Sequence, residues 1–135
     1  MQEIILTLPY PPSINHSKKV GRLRTTKAGK LYQQKFNSPE TMRFYYEVWV
    51  KIRSLNASER LRFVHDATIS LEVAIDIYPP DDRRRDIDNG IKIILDSLQR
   101  GGLIANDYQI ARLVVQRMSK IEHGQIILRV KPYVA

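Results

Sequence analysis

The segment of residues 67–78 reads A-T-I-S-L-E-V-A-I-D-I-Y and has the clearest periodicity in the chain. Aliphatic side chains recur at every second position, and the residues between them are mostly polar or small. Successive side chains of a strand point to opposite faces, so this alternation predicts a long β-strand with one buried face, followed by a stop at Pro79 and Pro80. The buried face is predicted to comprise Ile69, Leu71, Val73, Ile75 and Ile77.

Two helices flank this strand in the sequence. Ser38 can cap a helix with Pro39 at its first position, and a second helix is predicted over residues 87–100, which Gly101 and Gly102 end. Helical spacing places an apolar stripe of the first helix, half of it aromatic, in the core, namely Met42, Tyr45, Trp49 and Ile52. The apolar face of the second helix comprises Ile87, Ile91, Ile94, Leu95 and Leu98.

Three further strands complete the pattern. Residues 3–8 form a short apolar strand, and residues 110–118 and 125–131 form two more, joined in what the pattern favours as a hairpin. The order β-α-β-α-β-β predicts an α/β (α+β) fold, in which two main helices pack on a mixed sheet of about four strands. A chain of 135 residues without internal repeats predicts a single domain over residues 1–135.

Composition narrows the class of protein. A hydrophobic content of 43% and a charged content of 27% fit a soluble globular domain. No apolar run approaches the ~20 residues of a membrane span and no secretory signal follows Met1, so we expect a cytoplasmic protein without a membrane partner. Cysteine is absent, which excludes disulfides and thiolate metal sites. The net charge of +8 indicates a polyanionic partner.

Much of the positive charge falls in one segment. No Asp or Glu occurs between Ile4 and Pro39, and the segment shows no sustained apolar period, which predicts a long basic loop over about residues 9–37. Such a loop either contacts the phosphates of a nucleic acid or is a solvated loop without a partner. The residues of this segment that are predicted to contact DNA are Lys18, Lys19, Arg22, Arg24, Lys27 and Lys30.

Residues 82–92, D-R-R-R-D-I-D-N-G-I-K, concentrate opposed charges where the predicted strand gives way to the second helix. In one interpretation Asp86 caps this helix and Asp88 interacts with the positive end of its dipole, each stabilising it by about 0.5–1 kcal/mol. Capping does not explain the three arginines Arg83, Arg84 and Arg85. In the other interpretation the carboxylates bind a hard divalent cation, and the arginines bind DNA phosphates beside it.

Longer stretches point to a family. P-P-D-D-R-R-R-D-I-D-N-G-I-K-I-I-L-D-S-L, followed by G-G-L-I-A-N-D-Y-Q-I, resembles the signature of the RusA family of Holliday junction resolvases. The stretch L-P-Y-P-P-S-I-N at residues 8–15 is similar to the Pro-rich motif that opens that family. The resemblance covers most of the chain. It implies a small homodimeric endonuclease, of a kind often carried by prophages, that cuts four-way DNA junctions with Mg²⁺ in recombination and repair.

The resemblance also implies a catalytic set. By position, the metal ligands of the family fall on Asp86, Asp88 and Asp107, and its helical lysine falls on Lys92. One or two Mg²⁺ ions per site are implied, with Mn²⁺ as an alternative. Lys92 would contact the scissile phosphate or stabilise developing charge; otherwise it is an i,i+4 partner of Asp88, contributing only ~0.3–0.5 kcal/mol. The chain departs from the family at Asn106, where the first of two adjacent aspartates usually stands.

Two other functions stay open at this point. One is a basic DNA- or RNA-binding module without chemistry, which would need the arginines and the basic segment. Such a module would not need three carboxylates, which repel phosphate when no metal is bound. The other is a degenerate resolvase that binds junctions without cutting them, an interpretation that rests on Asn106.

Overall fold

The computed structural model describes residues 3–13 and 18–135, without the side chains of residues 18–23 and 32–36. The strands are β1 (Ile4–Leu8), β2 (Lys18–Thr25), β3 (Leu31–Asn37), β4 (Leu71–Tyr78), β5 (Ile110–Arg117) and β6 (Gln125–Pro132). The α-helices are α1 (Pro39–Arg53), α2 (Ala57–Leu61) and α3 (Ile91–Arg100), and a 3₁₀ turn spans Asp107–Gln109.

Four of the strands form a mixed sheet in the order β1-β6-β4-β5. The central strand β4 is parallel to β5, with Val73 opposite Leu113, and antiparallel to β6, with Val73 opposite Val130. At the other edge β1 is antiparallel to β6. The predicted mixed sheet of about four strands, with an α+β arrangement of helices, is confirmed.

The predicted hairpin between the last two strands was wrong, because β4 lies between β5 and β6. The crossover through α3 makes β5 parallel to β4, so the chain must pass over the end of β4 before β6 can return beside it. Two backbone hydrogen bonds hold this passage against β4 and the segment after it. They run from the N–H of Met118 to the carbonyl of Ile77 (2.7 Å) and from the N–H of Ile121 to that of Pro79 (3.0 Å).

The core lies on one face of the sheet. On β4 the predicted alternation is confirmed from Leu71 to Ile77, whose apolar side chains are all buried. Helix α3 covers them with Ile94 and Leu98, which are fully buried and each contribute about 1.5–3 kcal/mol to stability. No helix in the described part of the chain is both long and apolar enough to span a membrane.

Helix α1 begins as predicted, with the Ser38 side chain accepting a hydrogen bond from the backbone N–H of Thr41. Its buried face is rotated from the predicted stripe and comprises Thr41, Phe44, Tyr45, Val48 and Ile52. Met42 and Trp49 follow Thr41 and Val48 directly, about 100° further round the helix, and are nearly half exposed. Their assignment to the core was therefore wrong. The Trp49 ring instead stacks on Tyr46 and under the guanidinium of Arg53.

The basic segment is not the predicted loop, because strands β2 and β3 pair as an antiparallel hairpin, from Lys18 opposite Asn37 to Thr25 opposite Leu31. Gly29 closes the connecting turn at a positive φ of 84°, and its N–H donates to the carbonyl of Thr26. A strand that buries one face shows apolar alternation, whereas the hairpin is exposed from Arg24 to Leu31. This explains why the pattern did not predict strands here.

Candidate active site

The two aspartates of the charged segment lie in a tight turn rather than in a helix. We call residues 86–90 the acidic turn. The N–H of Asn89 donates to the carbonyl of Asp86 (3.0 Å), and that of Ile91 donates to the carbonyl of Asp88 (3.1 Å). Gly90, with φ of +89°, then starts α3 without a side-chain cap. The prediction that the helix begins at residue 87 was wrong, and Ile87 is exposed instead of packing in the core.

The acidic turn lines a cavity of about 910 Å³ at the end of the sheet where β4 and β5 finish. Asp86 and Asp88 are exposed there, and the ion pairs found among the described residues involve neither of them. Carboxylates that no protein cation neutralises are suited to a hard divalent cation. Capping does not account for them, because the cap position of α3 belongs to Gly90.

The three arginines before the acidic turn differ in their surroundings. The Arg84 side chain is exposed, whereas Arg83 pairs loosely with Asp81 at 3.3 Å. The Arg85 side chain is only 19% exposed and lies 2.7 Å from the Asp81 carboxylate. The Arg85 guanidinium and the N–H of Arg83 hold the pKa of the Asp81 carboxyl well below its ordinary value. Arg83 and Arg84 thus face solvent beside the acidic turn, while Arg85 is engaged within the protein.

Two basic residues at this end of the sheet were not predicted to belong to the site. Arg117, at the end of β5, donates from Nη2 to the carbonyl of Arg85 at 2.6 Å. Lys120 pairs with Asp82 at 2.6 Å, and both side chains are more than half exposed. A signal for Arg117 was available in the sequence, since it is the last residue of a strand that finishes at the same end of the sheet as β4. The incorrect hairpin between β5 and β6 hid this relationship.

Lys92 lies in the first turn of α3 and is well exposed. Its Nζ is 3.8 Å from Oδ1 of Asp96, one helical turn further on. The i,i+4 partner of Lys92 is therefore Asp96 rather than Asp88, which precedes the helix. Exposed pairs of this length contribute ~0–1 kcal/mol, so Lys92 stays available to other partners.

Asp107 is held in the 3₁₀ turn that leads into β5. Its backbone N–H lies 3.3 Å from Oε1 of Gln99, near the end of α3. Asn106 caps the turn, since its side-chain oxygen accepts a hydrogen bond from the N–H of Tyr108 at 2.8 Å. The amide that departs from the family pattern thus has a structural role of its own.

Gln109 fixes this turn in the protein and was missed in the sequence. It is buried, and its Oε1 accepts hydrogen bonds from the N–H groups of Ala105 (2.7 Å) and Asn106 (3.2 Å). Its Nε2, which has two hydrogens to donate, lies within hydrogen-bond distance of three carbonyl oxygens, those of Phe63 (3.1 Å), Asp66 (3.2 Å) and Ile69 (3.3 Å). The spacing N-x-x-Q of Asn106 and Gln109 is that of a capping box, which could have identified this residue.

One chain does not bring the three aspartates together. Within residues 3–13 and 18–135, no three Asp, Glu or His side chains are close enough to hold a metal ion. Asp86 and Asp88 precede α3, whereas Asp107 lies beside Gln99 near its other end, and a helix of 10 residues is about 15 Å long. The expected convergence of the three carboxylates is thus not found in the described part of a single chain.

The basic residues predicted to contact DNA lie on the β2–β3 hairpin. Arg24, Lys27 and Lys30 are exposed at and beside its turn. The side chains of Lys18, Lys19 and Arg22 lie outside the described part of the structure, although their backbone belongs to β2. The hairpin therefore presents at least three cations to solvent.

Comparison with known proteins agrees with the resemblance to the RusA family. The family model described as Endodeoxyribonuclease RusA matches residues 9–131. A crossover junction endodeoxyribonuclease of Enterobacteria phage HK97 is 30% identical over 130 residues, which cover 96% of this chain and 95% of the phage protein. A second crossover junction endodeoxyribonuclease, from Aquifex aeolicus (strain VF5), is 37% identical over 78 residues, covering 55% of this chain and 60% of its own.

Proposed function

The chain belongs to the RusA family of Holliday junction-resolving endodeoxyribonucleases, and we propose that it cuts four-way junctions with Asp86, Asp88 and Asp107 as the ligands of a divalent metal. The matches support this endonuclease and not the alternative of a basic binding module without chemistry. Nucleases of this family depend on a metal ion, and Mg²⁺ is our choice because the available donors are carboxylate oxygens. One or two ions per site are compatible with these donors, and Mn²⁺ is the alternative metal.

The observation that carries the proposal is that Asp86 and Asp88 lie exposed beside exposed cations and form no ion pair with any described residue. A metal held by such carboxylates stabilises charge on a phosphodiester and lowers the pKa of water. Arg83 and Arg84 would hold the phosphates of the strand that is cut, because guanidinium groups bind phosphate in bidentate fashion. Lys92, in the first turn of α3, would approach the same phosphate and stabilise its developing charge.

A second protomer can supply the third carboxylate. Strand β5 is an edge of the four-stranded sheet, and its side chains are largely exposed, including the apolar Leu113 and Val114. A long edge strand with exposed apolar side chains is a template for pairing with another strand. We therefore place the two-fold axis of the homodimer beside the middle of β5, so that β5 pairs antiparallel with its copy.

This antiparallel pairing places the start of β5 in one protomer near the end of β5 in the other. The start of β5, which follows Asp107, would lie beside the end of the partner's β5, where Arg117 lines the cavity with the acidic turn. Each site would then combine Asp86 and Asp88 from one protomer with Asp107 of the partner subunit. Two such sites, related by the two-fold axis, would make the paired cuts that resolve a four-way junction.

Complementation tests the metal ligands and the shared site together. Asp88→Asn and Asp107→Asn should each abolish cleavage of a synthetic four-way junction in Mg²⁺, because a hard metal loses an anionic oxygen. In a mixed dimer one site carries both substitutions and the other carries neither. Co-expressed variants should therefore recover nicking at about a quarter of the wild-type sites, since half of the dimers are mixed.

The outcomes separate the two parts of the proposal. Asp96→Asn, in a helical ion pair with Lys92, is the matched control and should cut nearly normally. Full activity of Asp88→Asn or Asp107→Asn alone would overturn the metal assignment. Inactive single variants with no recovery in the mixed dimer would instead place all three ligands in one protomer.

A further inference from the structure

Asp81 and Arg85 form a closed turn immediately before the acidic turn. Oδ1 of Asp81 accepts hydrogen bonds from Nη1 of Arg85 (2.7 Å) and from the backbone N–H of Arg83 (2.9 Å). The same Nη1 of Arg85 also donates to the carbonyl of Arg83 at 3.3 Å. One carboxylate therefore fixes both the backbone and the side chain of the residues that lead into Asp86.

Two further contacts hold Arg85 from other elements. Its guanidinium lies 5.6 Å from the centre of the Tyr10 ring, in the segment after β1. Its carbonyl accepts the hydrogen bond from Arg117 at the end of β5. Because Asp86 follows Arg85 directly, these contacts fix the start of the acidic turn, as the packing of Gly90 against Pro11 fixes its end.

Arg85 is bound by other residues of the protein, whereas the carboxylates that follow it form no ion pair with the described residues. Arg85 is the least exposed of the three arginines, and its guanidinium already has a carboxylate and an aromatic ring as partners. Asp86 and Asp88 form no ion pair with the described residues. A rigid backbone that presents free carboxylates is suited to metal binding, because no ordering of the turn is then required when the ion binds.

We propose that Asp81 and Tyr10 are positioning residues that act through Arg85 to hold the acidic turn ready for metal. The proposal rests on the metal role of Asp86 and Asp88 put forward above. Neither Asp81 nor Tyr10 needs to contact metal or DNA. Their loss should leave the ligands intact, but metal binding would then have to order the turn, so that a higher metal concentration is needed.

The metal dependence of cleavage is the primary test. In Asp81→Asn and Tyr10→Leu, the Mg²⁺ concentration that gives half-maximal cleavage should rise about 10-fold, the lower end of the range for residues that support metal ligands. The rate at saturating Mg²⁺ should stay within about 2-fold of wild type, because excess metal refills the site. Tyr10→Phe retains the ring under Arg85 and should behave as wild type. The double variant should show no more than the larger single effect, because both residues act through Arg85.

Asp82→Asn is the matched control. It removes the same charge from the same segment, but its partner is Lys120 rather than Arg85. The Mg²⁺ requirement should not change in this variant. Junction binding in EDTA should be as tight as wild type, or tighter, in both Asp81→Asn and Asp82→Asn, since each loses a negative charge near phosphate.

Hydrogen exchange gives a readout independent of cleavage. The amides of Asn89 and Ile91, which close the acidic turn, should exchange faster in Asp81→Asn and Tyr10→Leu than in wild type. An unchanged Mg²⁺ requirement with unchanged exchange in either variant would overturn the proposal, and so would an equal rise in Asp82→Asn. If Asp81→Asn does not fold, Tyr10→Leu against Tyr10→Phe decides. Normal cleavage by Asp88→Asn, assayed in parallel, would instead reject the metal role of the acidic turn itself.

Discussion

Pro11 packs directly against Gly90, at the point where the acidic turn enters α3. A β-carbon on Gly90 would lie 3.0 Å from Cγ of Pro11, and the φ of Gly90 is +89°. Glycine is thus required twice, by the left-handed backbone and by the approach of the proline ring. The Pro-rich segment of the chain therefore contributes to the site by closing one side of the acidic turn.

Gly90→Ala should lower the free energy of unfolding by about 2–4 kcal/mol, because backbone strain and the contact with Pro11 add. Cleavage should fall as well, since the turn carrying Asp86 and Asp88 must shift. Gly29→Ala is the control for stability, because Gly29 has a similar φ of +84° but no atom within 4 Å of its β-carbon position. Chemical denaturation measures the free energy of unfolding of both variants. Equal decreases in the two variants would show that the contact with Pro11 adds nothing.

Gln109 also supports the proposed site, because it fixes the turn that carries Asp107. Gln109→Glu keeps the shape of the side chain but turns a carboxylate oxygen toward the carbonyls of Phe63, Asp66 and Ile69. We expect about 2–4 kcal/mol lower stability at pH 7, since buried acceptors then face one another. Asp107 should lose its fixed position, so cleavage should fall too.

The stability loss in Gln109→Glu should depend on pH. A protonated carboxyl can donate to one of the carbonyls, so the pKa of the new group should be higher in the folded than in the unfolded protein. Its stabilising proton is present below the unfolded value and is lost as pH rises through the folded value. Melting at pH 4 and pH 7 should show the smaller deficit at pH 4. An equal deficit at both values would contradict the hydrogen-bond geometry assigned to Gln109.

The β2–β3 hairpin should supply salt-dependent DNA contacts. Alanine at Arg24, Lys27 and Lys30 should weaken junction binding and reduce the slope of log affinity against log salt by about 0.9 for each phosphate that these cations neutralise in the wild type. Lys131→Ala is the control, because Lys131 lies on β6 and pairs with Glu72 of β4, and it should leave the slope unchanged. Filter binding between low and moderate salt measures the slopes. A wild-type slope in the triple variant would show that these three cations of the hairpin do not contact DNA phosphates.

The sequence predicted the elements that bury an apolar face, but it did not predict the β2–β3 hairpin or the pairing partner of the exposed strand β5. Strand β4 shows strict alternation because one face packs in the core. The β2–β3 hairpin and the exposed strand β5 lack that constraint, so the hairpin was mistaken for a loop and β5 was paired with the wrong strand. Pairing partners depend on how the crossover through α3 returns to the sheet, which is not a local property of any segment.

For the site, the types of residue were easier to predict than their placement. The exposed carboxylates of Asp86 and Asp88 agree with the predicted metal site, although their role stays a prediction. Arg85 was grouped with its neighbours because three adjacent arginines look equivalent in sequence, and only the contacts with Asp81 and Tyr10 distinguish it. The separation of Asp107 from the acidic turn depends on the length of α3 and on the sheet, which motif spacing does not reveal.

Val114 tests the edge of the sheet as the dimer interface. It is 37% exposed on β5, so Val114→Glu should fold with a stability change of no more than about 1 kcal/mol. In a dimer paired through β5, two copies of the new carboxylate would meet near the two-fold axis and repel each other. We expect a monomer in sedimentation and, since the proposed site takes Asp107 from the partner subunit, almost complete loss of cleavage. Tyr46→Glu adds the same charge at an exposed position of α1 and should stay dimeric. A dimeric Val114→Glu would exclude β5 as the interface, whereas a monomer that still cleaves would show that one chain completes the site.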